Sequence, residues 1–309
     1  MTPIAREVLA PSLDSFGRSL TLPAAAYTDG SVYRWEQEHF FDQSWVCAGR
    51  SGDLANPGGG RVVDWNGWAF VNASGDAGAF EHHVGNLGGL IRNYGCAELV
   101  AGARHDYEIS ANWKILAENY HECYHCSSIH PELCEVSPPY SGGDNLEPEG
   151  AWIGGPVDLF EGVETMSLDG KSLAPMLPNL AAGQDRTVHY FQLFPNLLIS
   201  PHPDYVMTHR LTPLAPNRTA VECEWLFSKE AVGREDFDPS YASDFWDITN
   251  RQDWHACESV QRGASSRGYR QGPLSPREDA VYQLITMVAK GYLEGRVSRP
   301  ASRAPEAAL

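Results

Sequence analysis

Residues 111–133 read ANWKILAENYHECYHCSSIHPEL, and this stretch gathers histidines, cysteines and glutamates into one segment of helical character. Glu122 and His125 stand at i and i+3, His125 and His130 at i and i+5, and Cys123 with Cys126 forms a C-x-x-C. In a regular helix i and i+3 share a face, whereas i+5 is rotated by roughly 140°. Glu122 and His125 therefore point together. His130 joins them only if the helix is overwound, carries a π-bulge or breaks near Ser127-Ser128. A histidine pair at this spacing is by itself more often two surface or satisfied core residues than a metal site. Its neighbours are what raise it.

Composition bounds what the stretch can be. The chain has 309 residues, enough for one large or two modest domains with an ample core. Lys+Arg 23 against Asp+Glu 40 gives a formal charge of −17, which argues against nucleic acid and against an anionic membrane surface as partners. No window approaches the roughly 20 apolar residues of a membrane span, and no N-terminal run resembles a signal peptide, so a cytoplasmic protein is expected. Seven cysteines scattered along the chain do not suggest a disulfide framework; they fit a reducing compartment, most of them as small buried hydrophobes.

Working outward, residues 1–30 carry weak signals and read as extended, with a turn at Asp29-Gly30. Ser31–Phe41 has a Ser cap and a Val32, Trp35, His39 stripe that predicts a short helix. Strands are expected at Trp45–Gly49, Val62-Val63 and Trp68–Val71, the last two joined by a turn at Asn66-Gly67. Between them stands Gly58-Gly59-Gly60, a flexible joint in an unusual place. A short helix is expected around Phe80–Leu90 and a strand over Ala101–Ser110. Residues 135–185 show no period and read as a long irregular connection, as lids and substrate-binding segments often do. Strands return at Thr187–Ser200, Asp204–Leu211 and Arg218–Ser228. In the last, Val221, Cys223, Trp225 and Phe227 alternate with Glu222 and Glu224, the pattern of a half-exposed antiparallel sheet.

A long helix starts at Asp238-Pro239 and runs to about Gly263. Trp246, Asp253, Cys257 and Val260 fall within roughly 60° on its wheel, which places a carboxylate on an apolar stripe. A buried carboxylate needs a cation or a metal; the plainer reading is that Asp253 is solvated or pairs with Arg251 or Arg262. A second helix opens with the capping box Ser275–Glu278 and carries Val281, Leu284, Ile285, Val288 and Tyr292 on one face. The tail 298–309 is rich in Pro, Ala and Arg and is expected to be disordered.

Two histidines and a distant aspartate are the parts of a 2-His-1-carboxylate site for Fe(II). With Asn112-Trp113-Lys114, Glu118-Asn119, Glu122-Cys123-Tyr124-His125, His130-Pro131 and Gln252-Asp253-Trp254, the chain resembles the catalytic α-subunits of Rieske non-haem iron oxygenases. Within them it is most similar to the branch acting on glycine betaine, choline, carnitine and stachydrine. The resemblance covers nearly all of residues 30–295. It implies His125, His130 and Asp253 as iron ligands, Glu122 as the carboxylate bridging toward a neighbouring subunit's Rieske centre, and Asn119 beside the iron. It implies an α+β helix-grip catalytic domain (START/Bet v1-like), an antiparallel sheet around a long C-terminal helix, and a homotrimer served by a reductase.

The chain also departs from that family. A Rieske [2Fe–2S] cluster needs a C-x-H followed by a C-x-x-H. This sequence has neither outside the Cys123–His125 overlap in the iron stretch itself. No cluster is expected, and Gly58–Gly60 reads as the joint left by removal of the cluster domain, most simply by design. The expected organisation is an N-terminal segment over 1–45, remnant strands of the cluster domain over 46–73, the iron domain over 74–297 and the tail. Such a chain would hydroxylate or oxidatively N-demethylate a small quaternary ammonium substrate with O2 or peroxide, dependent on peroxide or an external reductant. Its reductase would no longer be productive and its trimer would be weakened. Tyr190, Phe191, Phe194 and Tyr205 are candidates to cage the cation, or equally to be core. Two other readings stand: a non-catalytic helix-grip binding module without metal, and zinc held by Cys123, Cys126, His125 and His130, which four residues on one helix can hardly surround as a tetrahedron.

Overall fold

The computed structural model describes residues 2–54, 61–139 and 145–302, so the Gly58–Gly60 joint and the end of the tail lie outside the described residues. Two antiparallel sheets organise the rest. The small one contains β1 (Val46–Arg50), β2 (Arg61–Trp65) and β3 (Trp68–Asn72) in the order β1-β3-β2. Asn66 and Gly67 both take positive φ (52° and 83°), the backbone that a two-residue hairpin turn demands.

The large sheet contains β4 (Val100–Ile109), β5 (Trp152–Asp158), β6 (Thr187–Leu193), β7 (Leu197–Pro201), β8 (Val206–Ala215) and β9 (Arg218–Phe227), in the order β4-β9-β8-β7-β6-β5. Its inner face curls around the Ser240–Ala264 helix. The cross-strand pairs Met207–Trp225, His209–Cys223 and Leu211–Val221 point inward, and Trp225 and Met207 pack with Phe245 and Trp246 of that helix. The fold is α+β, of the helix-grip kind. No helix among the described residues is long and apolar enough to cross a membrane.

Several expectations need correction, each for a physical reason. The outer face of β9 is not half-exposed: Glu224 is buried, and Leu226 joins Trp45 and the small sheet's Trp68 and Phe70 in one apolar cluster. Glu222 on that face is held by ion pairs, lying between Arg210 and Arg104. Residues 135–185 are not wholly irregular, because β5 lies within them. Its Gly-Gly-Pro sequence hides it, and Gly154 is required: at φ +127°, an added Cβ would sit 1.8 Å from the carbonyl oxygen of Tyr190 on β6. The strand expected over Thr187–Ser200 is two, separated at Phe194-Pro195. Residues 1–30 are not extended but hold short helices at Arg6–Leu9 and Ala24–Thr28. Asp29, read as a turn residue, caps the Gly30–Glu36 helix by accepting from the Ser31 backbone N–H. Val260 is exposed, so the apolar stripe of the long helix ends at Cys257. The last helix begins at Asp279, although Glu278 reaches back to the Ser275 N–H as a capping box should.

Candidate metal centre

The segment that opened the sequence is anchored first at its N-terminal end. Asn112 caps the Trp113–Tyr120 helix by accepting from the Lys114 N–H at 3.0 Å, and its amide donates to Pro216 O at 2.6 Å. Trp113 Nε1 and Lys114 Nζ both donate to the Glu36 carboxylate, at 3.0 and 2.7 Å, and Tyr292 O–H donates to it as well. The Asn-Trp-Lys run is thus a bolt fixing the helix to the N-terminal region and to the last helix. Lys114 and Glu36 side chains are both 0% exposed. Removing one member of such a pair leaves a buried charge unpaired, so Lys114→Met is expected to lower stability by about 3–5 kcal/mol. Denaturant unfolding of variant and parent measures this; a loss below about 1 kcal/mol would contradict it.

Beyond Tyr120 the chain is not one helix. It breaks at His121–His125, not at Ser127-Ser128, and resumes as a single turn, Cys126–Ile129. Glu122 drives the break: its Oε2 accepts from the Tyr124 and His125 backbone N–H groups, at 2.5 and 3.2 Å, and its Oε1 from the His125 ring. His125 and His130 flank the short turn, and His130 leaves helical geometry at φ −119°, ψ 68°. That resolves the i+5 spacing. The two Nε2 atoms stand 3.1 Å apart, and Asp253 Oδ1 from the long helix lies 2.9 Å from His130 Nε2 and 3.3 Å from His125 Nε2. Arg251, the alternative partner for Asp253, pairs with Asp247 instead.

The hydrogen bonds fix which nitrogens carry protons. Gln252 Nε2 donates to Glu132 Oε2 at 3.0 Å, so its oxygen faces His130 Nδ1, at 2.7 Å, and must accept from it. Glu122, a carboxylate, likewise accepts from His125 Nδ1. Both Nε2 atoms therefore turn lone pairs toward each other and toward a carboxylate oxygen. Three acceptors this close repel unless a cation lies between them. Ligands on one octahedral face, each about 2.1 Å from a metal, stand about 3.0 Å apart, as these atoms do. The donor set fits a divalent ion with its remaining positions open.

The electrostatics point the same way. In the metal-free chain burial works against a charged His125, but its bonds to Asp253 and Glu122 outweigh that and push its pKa up to about 10. Burial also opposes charge on Asp253, yet the two imidazoles hold it down to about 2. A proton supplies the positive charge that the cluster demands. Asn119 donates to Asp253 Oδ1 at 2.7 Å and fixes the carboxylate's orientation.

The donors lie in the wall of a cleft of about 1120 Å³, measured with its open mouth. Of the four aromatics expected there, Tyr190 lines it and three do not. Phe194 packs on Trp113 and Phe40, Phe191 belongs to the cluster under the small sheet, and Tyr205 is a core residue whose hydroxyl donates to Met166 O. Alternation along β6 explains the split: Tyr190 faces inward and Phe191 outward. The sequence reading missed Tyr120, Trp246, Trp254 and His209 as lining residues. Three sit where a signal existed, Tyr120 beside Asn119, Trp254 beside Asp253 and Trp246 two turns before it. A second correction concerns sulfur. Cys123 and Cys126 are joined by a disulfide, and both line the cleft; Cys47, Cys96, Cys134, Cys223 and Cys257 are free.

Comparison with known proteins identifies the family of the chain. The protein-family model described as ring hydroxylating alpha subunit (catalytic domain) matches residues 96–294. The glycine betaine monooxygenase oxygenase subunit of Chromohalobacter salexigens is 28% identical over 245 residues, 69% of this chain and 54% of that protein. The carnitine monooxygenase oxygenase subunit of Escherichia coli K12 is 26% identical over 215 residues, 68% and 53% of the two chains. The chain thus spans about half the length of the curated relatives it matches. Among solved structures, a quaternary ammonium Rieske monooxygenase studied for carnitine oxidation by gut microbiota superposes with a TM-score of 0.75 at 17% identity, covering 95% of this chain and 99% of that one. Naphthalene 1,2-dioxygenase from a Rhodococcus species gives 0.67 at 14% identity, covering 94% and 98%; at these identities the likeness concerns the fold. The family match over 96–294 embraces the donor triad, the six-stranded sheet and both C-terminal helices, and the chain belongs to the ring-hydroxylating alpha-subunit family through its catalytic domain.

Proposed function

We propose that the chain is a mononuclear non-haem Fe(II) oxygenase domain that hydroxylates or oxidatively N-demethylates a small quaternary ammonium compound. The observation that carries this is the convergence of the His125 and His130 Nε2 atoms and one carboxylate oxygen within 3.3 Å, in the wall of an aromatic cleft. His125, His130 and Asp253 hold the metal. Gln252 and Glu122 fix the tautomers, and Asn119 steadies the carboxylate. Iron(II) held there would supply reductive activation of O2 or peroxide.

The lining supports a cationic substrate. Tyr120, Tyr190, Trp246 and Trp254 offer ring faces to a methylammonium group. Arg277, at the same cleft, suits the carboxylate of a betaine. His209 Nδ1 and Trp254 Nε1 are buried and without hydrogen-bond partners, an acceptor and a donor available to a polar group. Curated relatives named for glycine betaine and carnitine support the same class.

We further infer the organisation read from the sequence: an N-terminal segment over 1–45, remnant strands over 46–73, an iron domain over 74–297, and a cluster domain absent at Gly58–Gly60. Glu122, hydrogen-bonded to His125 at the protein's edge beside exposed Tyr124, is then one end of an electron bridge whose cluster end this chain does not encode. NADH-driven turnover through a reductase should fail and peroxide should support turnover. With Fe(II)-reconstituted protein and glycine betaine or carnitine, product formed with peroxide but not with NADH and reductase supports this reading; efficient NADH-driven turnover sinks it.

A further inference from the structure

The Cys123–Cys126 disulfide sits on the loop that carries the metal donors, and the function proposed above makes no use of it. Cys126 Sγ lies within 4.8 Å of a ring nitrogen of His125 and one of His130. Cys126 is 3% exposed, Cys123 is partly exposed, and both face the cleft. The zinc reading of the sequence foundered on a single straight helix. The break at His121–His125 removes that obstacle, because the sulfur and the two imidazoles now surround one point.

We propose that reduction of this disulfide creates a second coordination state, in which Cys126 thiolate joins His125, His130 and Asp253 as a fourth ligand for a thiophilic divalent ion such as Zn(II). The proposal rests on the metal-centre reading above. With the bridge intact, the centre offers two nitrogens and one oxygen. An external dithiol opens it by ordinary exchange. Its thiolate attacks Sγ of Cys123, the accessible sulfur; the S–S bond breaks and Cys126 leaves as thiolate. The second thiol of the reductant then resolves the mixed disulfide, releasing Cys123 as a thiol. The chain gains two electrons and two protons, and the reductant becomes a disulfide. Any proton taken up by Cys126 is released again when the ion binds.

Geometry and charge both permit the fourth ligand. Around zinc, with a Zn–S bond of about 2.3 Å and Zn–N of about 2.1 Å, sulfur and nitrogen in a tetrahedron stand about 3.6 Å apart. A sulfur within 4.8 Å of both rings therefore needs to move by no more than about 1 Å relative to them, a Cα–Cβ rotation that the bridge forbids and the free thiol allows. Two neutral imidazoles, one carboxylate and one thiolate balance a divalent charge fully, which favours burial of the ion. The closed bridge keeps sulfur off the centre and so reserves it for iron; the open one admits the softer metal.

Co(II) is the probe. In the full chain, Co(II) added after dithiothreitol treatment should produce a thiolate-to-cobalt charge-transfer band in the near ultraviolet, absent from the oxidised protein. Cys123→Ser, which leaves Cys126 a permanent thiol, should show the band without reductant. Cys126→Ser should bind Co(II) through the other three ligands without the band. Zn(II) affinity should rise at least tenfold on reduction of the parent and not in Cys126→Ser. Identical spectra in both redox states, a band that survives in Cys126→Ser, or peptide mapping that finds no Cys123–Cys126 bridge after oxidation would each overturn the proposal. Absence of Co(II) binding in either redox state would instead overturn the metal-centre reading and this one with it.

Discussion

Replacing His130 with alanine is expected to reduce iron from about one equivalent per chain to background. His130 is 1% exposed, it stands opposite the other two donors at 3.1 and 2.9 Å, and its Nδ1–H is fixed by Gln252. Disturbing the outer partner of a ligating histidine typically weakens metal binding by about 10–100-fold, and deleting the ligand itself should exceed that. Gln252→Ala makes the comparison: it should retain iron with an affinity lowered within that range, because the ring can still bind once reoriented. The metal-free His130→Ala chain should remain folded, since His130 belongs to none of the apolar clusters that make the core. Metal analysis after anaerobic reconstitution, with circular dichroism of the same samples, separates lost ligation from lost structure. Full iron in the variant would contradict the assignment.

Acid should unfold this protein early. His121, His202 and His209 are 7%, 0% and 3% exposed, and burial lowers their pKa values to about 3, 3 and 4. In the unfolded chain each titrates near 6.5. Above that pH both states leave the rings neutral and no stability depends on them. Below it the unfolded chain takes up protons that the folded chain refuses, so each histidine removes about 1.4 kcal/mol per pH unit until its folded pKa is reached. At pH 5 the three together remove about 6 kcal/mol, against a total of about 5–15 kcal/mol for a typical domain. His125 adds no slope in this window: its raised pKa contributes stability that is fully present below pH 6.5 and lost as pH rises toward 10. Denaturant midpoints from pH 6.5 to 5 should fall steeply, and His202→Gln should flatten the fall by about one histidine's share. A pH-independent midpoint over that range would contradict the burial argument.

How much of this was legible in the sequence depends on what each residue's signal required. His125, His130 and Asp253 were readable as a set only through the family resemblance, because the i+5 spacing and an acid on an apolar stripe each have a plainer reading on their own. Their convergence was not, because it depends on Glu122 turning its carboxylate back onto two backbone N–H groups and ending the helix, a contest between cap and helix that periodicity does not decide. Strands with plain alternation, β8 and β9, were visible. β5 was not, since a strand containing Gly-Gly-Pro is identified by what lies against it, here Tyr190 O facing Gly154. The pocket aromatics failed for a related reason. Tyr190 and Phe191 are equally aromatic, and only the register of β6 decides which faces the cleft and which the small sheet. The cysteine bridge was missed because seven cysteines scattered along the chain read as free thiols of a reducing compartment, whereas Cys123 and Cys126 lie at bonding distance.

The central claim is that one Fe(II) is held by His125, His130 and Asp253 with positions left open. Anaerobic Fe(II) titration followed by nitric oxide, read by electron paramagnetic resonance, tests it most directly. The account predicts a high-spin iron–nitrosyl signal that saturates at one iron per chain and disappears in both His130→Ala and Asp253→Ala. A parent chain that yields no signal after loading, or variants that keep it at full intensity, would contradict it.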